Sequence, residues 1–271
     1  MKKLLFFTDL DGSLLDHNDY SWQSASPAIA ALKKQGYPLI INSSKTASEV
    51  SSLNDDLDNH HPFVCENGAV VNFSSSYFSV GEDSEKNDQL VAHFFAVPYP
   101  LVTKVLNELR AKHDFKFTGF SDLDAEAVVD ITGLEYGQAL RATFRQASEP
   151  VQWHDDDDEL ERFKSLLFQQ GLTVTKGGRF LHVMSPVNKG DAVTWLKQSY
   201  QRYEPETEWL TVGIGDSHND IAMLQRVDYP IQILNPDIRQ PDFSFIKNLY
   251  QTELPGPAGW NQAVLELIDK V

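Results

Sequence analysis

The sequence predicts an α/β fold: a doubly wound parallel sheet interrupted by an inserted α+β domain. Three observations lead there. Short apolar runs alternate with helical patterns at the start of the chain and again towards its end, the rhythm of parallel β-α units. The first such run, Leu4-Leu5-Phe6-Phe7, is apolar at every position, as a strand covered on both faces must be. Between about Ser74 and Met184 the rhythm breaks, and a polar stretch leads into strands and helices of a different order.

The opening strand ends in Thr8-Asp9-Leu10-Asp11-Gly12-Ser13. Ser26-Pro27 then reads as an N-cap with proline at the first helical position, and Gly36 stops the helix. Pro38 to Ile41 is the second strand. Thr46, with Glu49 three residues on, is a capping box that opens a second helix. Phe63-Val64-Cys65 is a third strand, and Glu66 to Val71 turns into a hairpin. Ser74-Ser75-Ser76 and Gly81 to Gln89 read as a linker.

The insert, residues 81–185, is expected to run from a strand at Phe94–Val97 through a helix at Pro100–Arg110 to a strand at Phe115–Phe120. Two helices between Asp124 and Ala147 follow, then a strand at Val151–Trp153 and a helix from Asp157 to Gln170. Strands near Leu172–Thr175 and Phe180–Met184 close it. The outer domain, residues 1–80 and 186–271, resumes with a helix after Asn188 and the strand Trp209–Gly215. A helix from Ile221 and a strand at Ile231–Leu234 come next. The C-terminal region, with Pro255-Gly256-Pro257, reads as a loop followed by a short helix.

Among 271 residues, 39 Asp and Glu outweigh 23 Lys and Arg, for a net charge of −16. Such a balance disfavours nucleic acid and anionic membranes as partners. It leaves a small anionic substrate open, because a few local cations dominate a pocket. Cys65 is the sole cysteine, so no intrachain disulfide is expected and a reducing compartment fits. The apolar start stops at Thr8, too short for a signal peptide, and no run is long enough to span a bilayer. A soluble, cytoplasmic protein is the expectation.

Asp9 and Asp11, two apart where the strand loosens, face the same way. Carboxylates held that close repel, which suits a site containing a cation; a strand followed by an Asx-turn is the plainer alternative. Doubly wound sheets bind ligands at the carboxyl ends of their strands, where Ser43 and Glu66 also fall. Further on, Lys189 begins the helix after the insert, and Gly215-Asp216 ends an apolar strand ahead of Ser217-His218-Asn219-Asp220. The run Asp155 to Asp158 reads as acidic residues favouring a helix dipole rather than as a metal site.

Taken in this order, Asp9-x-Asp11-x-Ser13, Ser43, Lys189 and Gly215-Asp216-x-x-Asn219-Asp220 resemble the four motifs of the haloacid dehalogenase superfamily of phosphotransferases. The insert resembles the α/β cap of that superfamily's sugar-phosphatase branch. Asn42-Ser43-Ser44-Lys45-Thr46, Glu66-Asn67-Gly68-Ala69, His113 to Phe117 and Gly177-Gly178-Arg179-Phe180-x-His182 are similar to the mannosyl-3-phosphoglycerate phosphatase family.

The resemblance implies a magnesium ion held by the carboxylates of Asp9 and Asp216 and the backbone carbonyl of Asp11. It implies Asp9 as nucleophile and Asp11 as acid and then base. Ser43, Ser44, Lys45 and Lys189 are expected around the phosphoryl group and ester, with Asn219 and Asp220 in support; Asp220 would anchor Lys189 or a metal-bound water. Arg179 is expected to clamp a substrate carboxylate, and His182 to bond a hydroxyl. The implied activity is magnesium-dependent hydrolysis of mannosyl-3-phosphoglycerate through an aspartyl-phosphate. Another sugar-phosphate phosphatase or a phosphomutase on the same core remains open. So does a non-catalytic sugar-phosphate sensor, although intact Asp9 and Asp11 argue for catalysis.

Overall fold

Leu4, Leu5, Phe6 and Phe7 are fully buried in β1 (Lys2–Thr8). The structure is a computed structural model and describes residues 1–78, 89–177 and 180–270. After β1 come α1 (Ser26–Gln35), β2 (Leu39–Ile41) and α2 (Ala47–Asp56). Pro27 sits in the first turn of α1, and Gly36 ends that helix at φ 67°. Ser26, expected as the cap, lies inside the first turn instead, because Gln23–Ala25 already form a 3-10 turn to whose Gln23 carbonyl the Ser26 hydroxyl donates. The capping box of α2 is present: Glu49 N donates to Thr46 Oγ1 at 3.2 Å and Thr46 N to Glu49 Oε2 at 2.9 Å.

An antiparallel ribbon follows, β3 (Phe63–Cys65), β4 (Val70–Ser74) and β5 (Leu90–Phe94). The tight turn between β3 and β4 carries Glu66, Asn67 and Gly68 at positive φ. Gly68 is obligatory there, since a Cβ would lie 2.2 Å from the carbonyl oxygen of Asn188. The strand expected at Phe94–Val97 is displaced towards the N-terminus: Leu90–Phe94 pairs with Val70–Ser74. The expected linker from Gly81 lies, but for Gln89, outside the described residues.

The cap contains α3 (Tyr99–His113), β6 (Phe117–Gly119), α4 (Ala125–Thr132), α5 (Tyr136–Thr143), β7 (Ser148–Trp153), α6 (Asp157–Gln169), β8 (Thr173–Gly177) and β9 (Phe180–Met184). Its four strands form an antiparallel sheet in the order β6-β7-β9-β8. Val102 and Leu106 of α3 meet Phe163 and Leu167 of α6 in a core against Phe117, Val151 and Val183 of that sheet. The acidic run is a helix start, as read: Asp156 caps α6 by accepting from Glu159 N at 2.9 Å.

The chain returns through α7 (Lys189–Tyr203), β10 (Glu208–Gly215), α8 (Ile221–Leu224), β11 (Tyr229–Leu234), β12 (Tyr250–Pro255) and α9 (Gly256–Ile268). β12-β11-β10-β1-β2 form one parallel sheet. Alternation along β1 gives it two faces: Leu4 and Phe6 pack with Leu32 of α1 and Trp260 of α9, Leu5 and Phe7 with Val193 and Leu196 of α7. The loop expected around Pro255-Gly256-Pro257 is corrected by β12 and by the start of α9 at Gly256, while the helix expected after it is present. In β12 only Thr252 is buried, so this edge strand lacks the apolar pattern by which strands are read.

The pairing of β5 with β4 puts that strand on the core side, and we propose that the first crossing into the cap follows Phe95 rather than residue 81. The two crossings touch, Val97 N donating to Ser185 Oγ at 3.0 Å.

Glu66 joins core to cap. Its buried carboxylate accepts from Gln146 N at 2.6 Å, Ala147 N at 3.1 Å and Ser148 Oγ at 2.6 Å, with Arg145 Nε at 3.5 Å. Glu66→Ala leaves those donors and the Arg145 charge without their acceptor, and urea unfolding is expected to show a loss of about 2–4 kcal/mol. An unchanged midpoint would mean that this clasp contributes nothing.

A second prediction concerns pH. Burial, with His60 and Lys33 adding, pulls His61 from 6.5 down to about 4, and its Nδ1 lies against the Tyr77 hydroxyl. Between those values the unfolded chain binds a proton that the native one refuses. Stability is therefore present above 6.5 and lost as pH falls towards 4, by at most about 3 kcal/mol. The difference in unfolding free energy between wild type and His61→Phe should shrink over that window; a pH-independent difference would refute it.

Candidate active site

Parallel pairing of β1 with β10 sets Thr8 opposite Ile214, so the loops leaving these two strands emerge side by side. Asp9 leaves the first and Asp216 the second. Asp220 sits in the turn after β10, and carboxylate oxygens of Asp9, Asp216 and Asp220 lie within 4.8 Å of one another. All three residues are buried.

Lys189, the first residue of α7 and fully buried, reaches into this group. Its Nζ donates to Asp9 Oδ1 at 2.5 Å and to Asp220 Oδ1 at 2.6 Å. Burial works against its charge, yet Asp220 and Asp9 overcome that and hold the amine above its ordinary range. Asp220 spends its other oxygen on backbone, accepting from Ser217 N at 2.9 Å and Asp216 N at 3.1 Å. Asp220 thus pairs with Lys189 through one oxygen and with the loop backbone through the other.

Asp216 is held from both sides, Oδ1 by Ser13 Oγ at 3.1 Å and Oδ2 by Asn235 Nδ2 at 2.7 Å. Burial, then Asp220, raises its carboxyl to about 6, against the pull of Asn235, Lys189 and Ser13. Burial also holds Asp9 well above the usual carboxylate range; Asp220, Asp216 and Asp11 add to the effect and Lys189 opposes it. Asp9 Oδ2 accepts no hydrogen bond from the described residues.

Three buried carboxylates facing one ammonium leave an excess of negative charge that a low-dielectric site does not tolerate unbalanced. Oxygen donors alone, at mutual distances one ion can bridge, fit a hard divalent cation. Asp9 and Asp216 are the two that could hold it, since Asp220 is committed to Lys189 and to backbone.

Asp11 lies on the open side, its Oδ1 at 3.0 Å from Lys45 Nζ. Lys45, expected near the ester, is therefore an ion-pair partner of Asp11 and has Glu49 nearby; burial opposes its charge but both acids raise its amine. Ser43 is buried at the end of β2, with Ser43 N bonded to the Val64 carbonyl and its hydroxyl accepting from Lys45 N at 3.2 Å. Ser44 follows in the same loop. Asn219 Nδ2 donates to Asn67 Oδ1 at 2.9 Å, tying the β10 loop to the β3–β4 turn.

His182 stands on cap strand β9 opposite Pro150 and Thr175 and makes no hydrogen bond to these groups. Burial, with Arg145 adding, pulls it down to about 3, and its Nδ1 finds no partner among the described residues. Arg179 lies outside the described residues. His218 is exposed.

Asn235 was missed from sequence. Its one available signal is position: it follows β11, at a strand end of the parallel sheet. Asn42, which holds the Lys189 carbonyl through Nδ2 at 3.1 Å, stands at such an end too.

The chain matches the sequence pattern of the haloacid dehalogenase-like hydrolases over residues 6–116 and 137–237. It is 38% identical over 269 residues to a glucosyl-3-phosphoglycerate/mannosyl-3-phosphoglycerate phosphatase of Methanococcoides burtonii, covering 99% of this chain and 98% of the relative. A protein of the same description from Persephonella marina is 36% identical over 272 residues, with 99% and 98% covered. Among solved structures, a phosphatase of the haloalkanoate superfamily from Bacteroides thetaiotaomicron superposes with a TM-score of 0.69 at 16% identity, covering 100% of this chain and 96% of that one. A Thermoplasma acidophilum protein gives 0.68 at 19%, with 99% of each chain covered. These two likenesses show the fold. The end-to-end match to the curated relatives takes in both halves of the core and the cap between them: the chain belongs to the haloacid dehalogenase-like hydrolases and is a phosphoric monoester hydrolase.

Proposed function

We propose that this chain removes the phosphate of a glycosyl-3-phosphoglycerate, with the mannosyl ester as first choice, and that it uses Mg2+. The observation that carries this reading is the likeness to two relatives named for the glucosyl and mannosyl esters, over nearly the full length of each. Both sugars therefore belong in the assay.

In this reading the phosphoryl group enters between Asp9 and the loop of Ser43. Asp9 Oδ2, the oxygen that Lys189 leaves free, attacks phosphorus in line with the leaving oxygen. The P–O ester bond breaks as the Asp9–phosphorus bond forms, and protonated Asp11 delivers its proton to the departing glycerate oxygen. Asp11, now a carboxylate, takes a proton from water, which attacks phosphorus; the Asp9 oxygen–phosphorus bond breaks, restoring the Asp9 carboxylate and releasing inorganic phosphate. Lys189 and Ser43 hold phosphoryl oxygens through both steps. When bound to Asp9 and Asp216, Mg2+ supplies positive charge that balances the carboxylates and the incoming phosphate.

Asp9→Asn keeps the shape of the side chain and its contact with Lys189 but removes the nucleophile. Phosphate release from mannosyl-3-phosphoglycerate is expected to fall at least about a thousandfold; wild-type turnover would remove Asp9 from this role.

Chelation by EDTA should abolish activity, and added Mg2+ should restore it. At a hundredfold excess over its dissociation constant the ion stabilises the fold by about 2.7 kcal/mol, read as a rise in melting temperature. Asp216→Asn should erase that rise. A melting curve indifferent to Mg2+ in wild type would refute the metal assignment.

A further inference from the structure

Beside the carboxylate cluster, on the side of Asp11, lies a cavity of about 220 Å³ between core and cap, where one water needs only about 10–15 Å³. Its walls include Leu15, Lys45, Glu49 and Asp56 from the core, and Gln138 and Arg141 from α5 of the cap. Two contacts tie it to the reacting centre. Lys45 Nζ is 3.0 Å from Asp11 Oδ1, and Leu15 is bridged to Asp11 through backbone. The oxygen that Asp11 protonates therefore departs towards this cavity.

The charges inside it are unequally committed. Lys45 Nζ has Asp11 Oδ1 as its partner at 3.0 Å. Glu49 serves the N-terminus of α2, accepting from Thr46 N and Thr46 Oγ1, both at 2.9 Å. The Arg141 guanidinium makes no hydrogen bond or ion pair with any described residue, although its backbone carbonyl is fixed by Thr46 Oγ1 at 2.9 Å. The Gln138 amide nitrogen is likewise without an acceptor among the described residues, while its Oε1 caps Glu135 N. A planar donor fork on a pinned helix, facing the leaving-group side, is a receptor for a carboxylate. The acids of α2 on the core wall suit hydroxyls instead.

We infer that Arg141, assisted by Gln138, binds the carboxylate of the leaving group and sets the specificity of this enzyme for phosphate esters of hydroxy acids. The inference rests on the function proposed above and names a residue that selects its substrate. A lysine there would keep the charge but lose the two-pronged geometry.

The test compares 3-phosphoglycerate with glycerol 3-phosphate, two esters that differ in one carboxylate, alongside mannosyl-3-phosphoglycerate. Wild type is expected to prefer 3-phosphoglycerate in kcat/KM. Arg141→Ala should reduce that preference at least tenfold, through KM rather than kcat, and Arg141→Lys should recover only part of it. Equal losses on both esters would mark a structural role and overturn the inference, as would a wild type indifferent to the carboxylate. If the mannosyl ester is inert but Arg141→Ala still abolishes the preference for 3-phosphoglycerate, the proposed substrate fails and the role of Arg141 stands.

Discussion

A single ammonium group buried among three carboxylates is the constraint from which the rest of this site follows. Removing an ion from water costs several kcal/mol, recovered only by close, well-formed pairing. Lys189 meets that condition with two contacts, to Asp9 and Asp220. The carboxylates do not: one positive charge cannot neutralise three negative ones. What surrounds them supplies donors rather than charge, Ser13 and Asn235 on Asp216 and two backbone amides on Asp220. A phosphate ester brings further negative charge, so the arrangement is suited to its ligand only with a cation among the carboxylates.

Bringing these groups together depends on backbone as much as on side chains. Parallel pairing in the register Thr8 with Ile214 delivers Asp9 and Asp216 to the same end of the sheet from opposite ends of the sequence. Two glycines then let the loops close. A Cβ on Gly12 would lie 2.4 Å from Asn235 Nδ2, and one on Gly215 would lie 2.4 Å from Asp220 Cγ. Each glycine is therefore needed for close approach, to a group that holds Asp216 in one case and Lys189 in the other.

Much of this was legible in the residues. The all-apolar run Leu4–Phe7 in β1, the Thr46–Glu49 box and acids at strand ends are local signals, and each is found where it was read. What escaped was non-local. Asn235 is an ordinary polar residue after a strand until β11 places it against Asp216. β12 is exposed along most of its length because it is an edge, and its assignment depends on pairing with β11. β5 alternates half-buried and exposed residues and becomes a strand only through β4. Lys45 stands next to Ser43 in sequence, but its ion pair with Asp11 is a contact across loops that sequence proximity did not indicate.

The cap is attached to the core by unequal means, and the inequality falls in a useful place. Near the crossings, Glu66 binds two backbone amides and a hydroxyl of the 146–148 segment in a fully buried setting, where an unmet donor costs about 1–3 kcal/mol. At the other contact, beside the cavity, α5 meets α2 through one hydrogen bond from Thr46 to the Arg141 carbonyl, in partly buried surroundings and worth about 1 kcal/mol. The cap is therefore held firmly where the chain enters and leaves it and weakly where the leaving group must be accommodated. That asymmetry lets one rigid core perform the phosphoryl chemistry while the side chains of α5 decide which ester is presented to it.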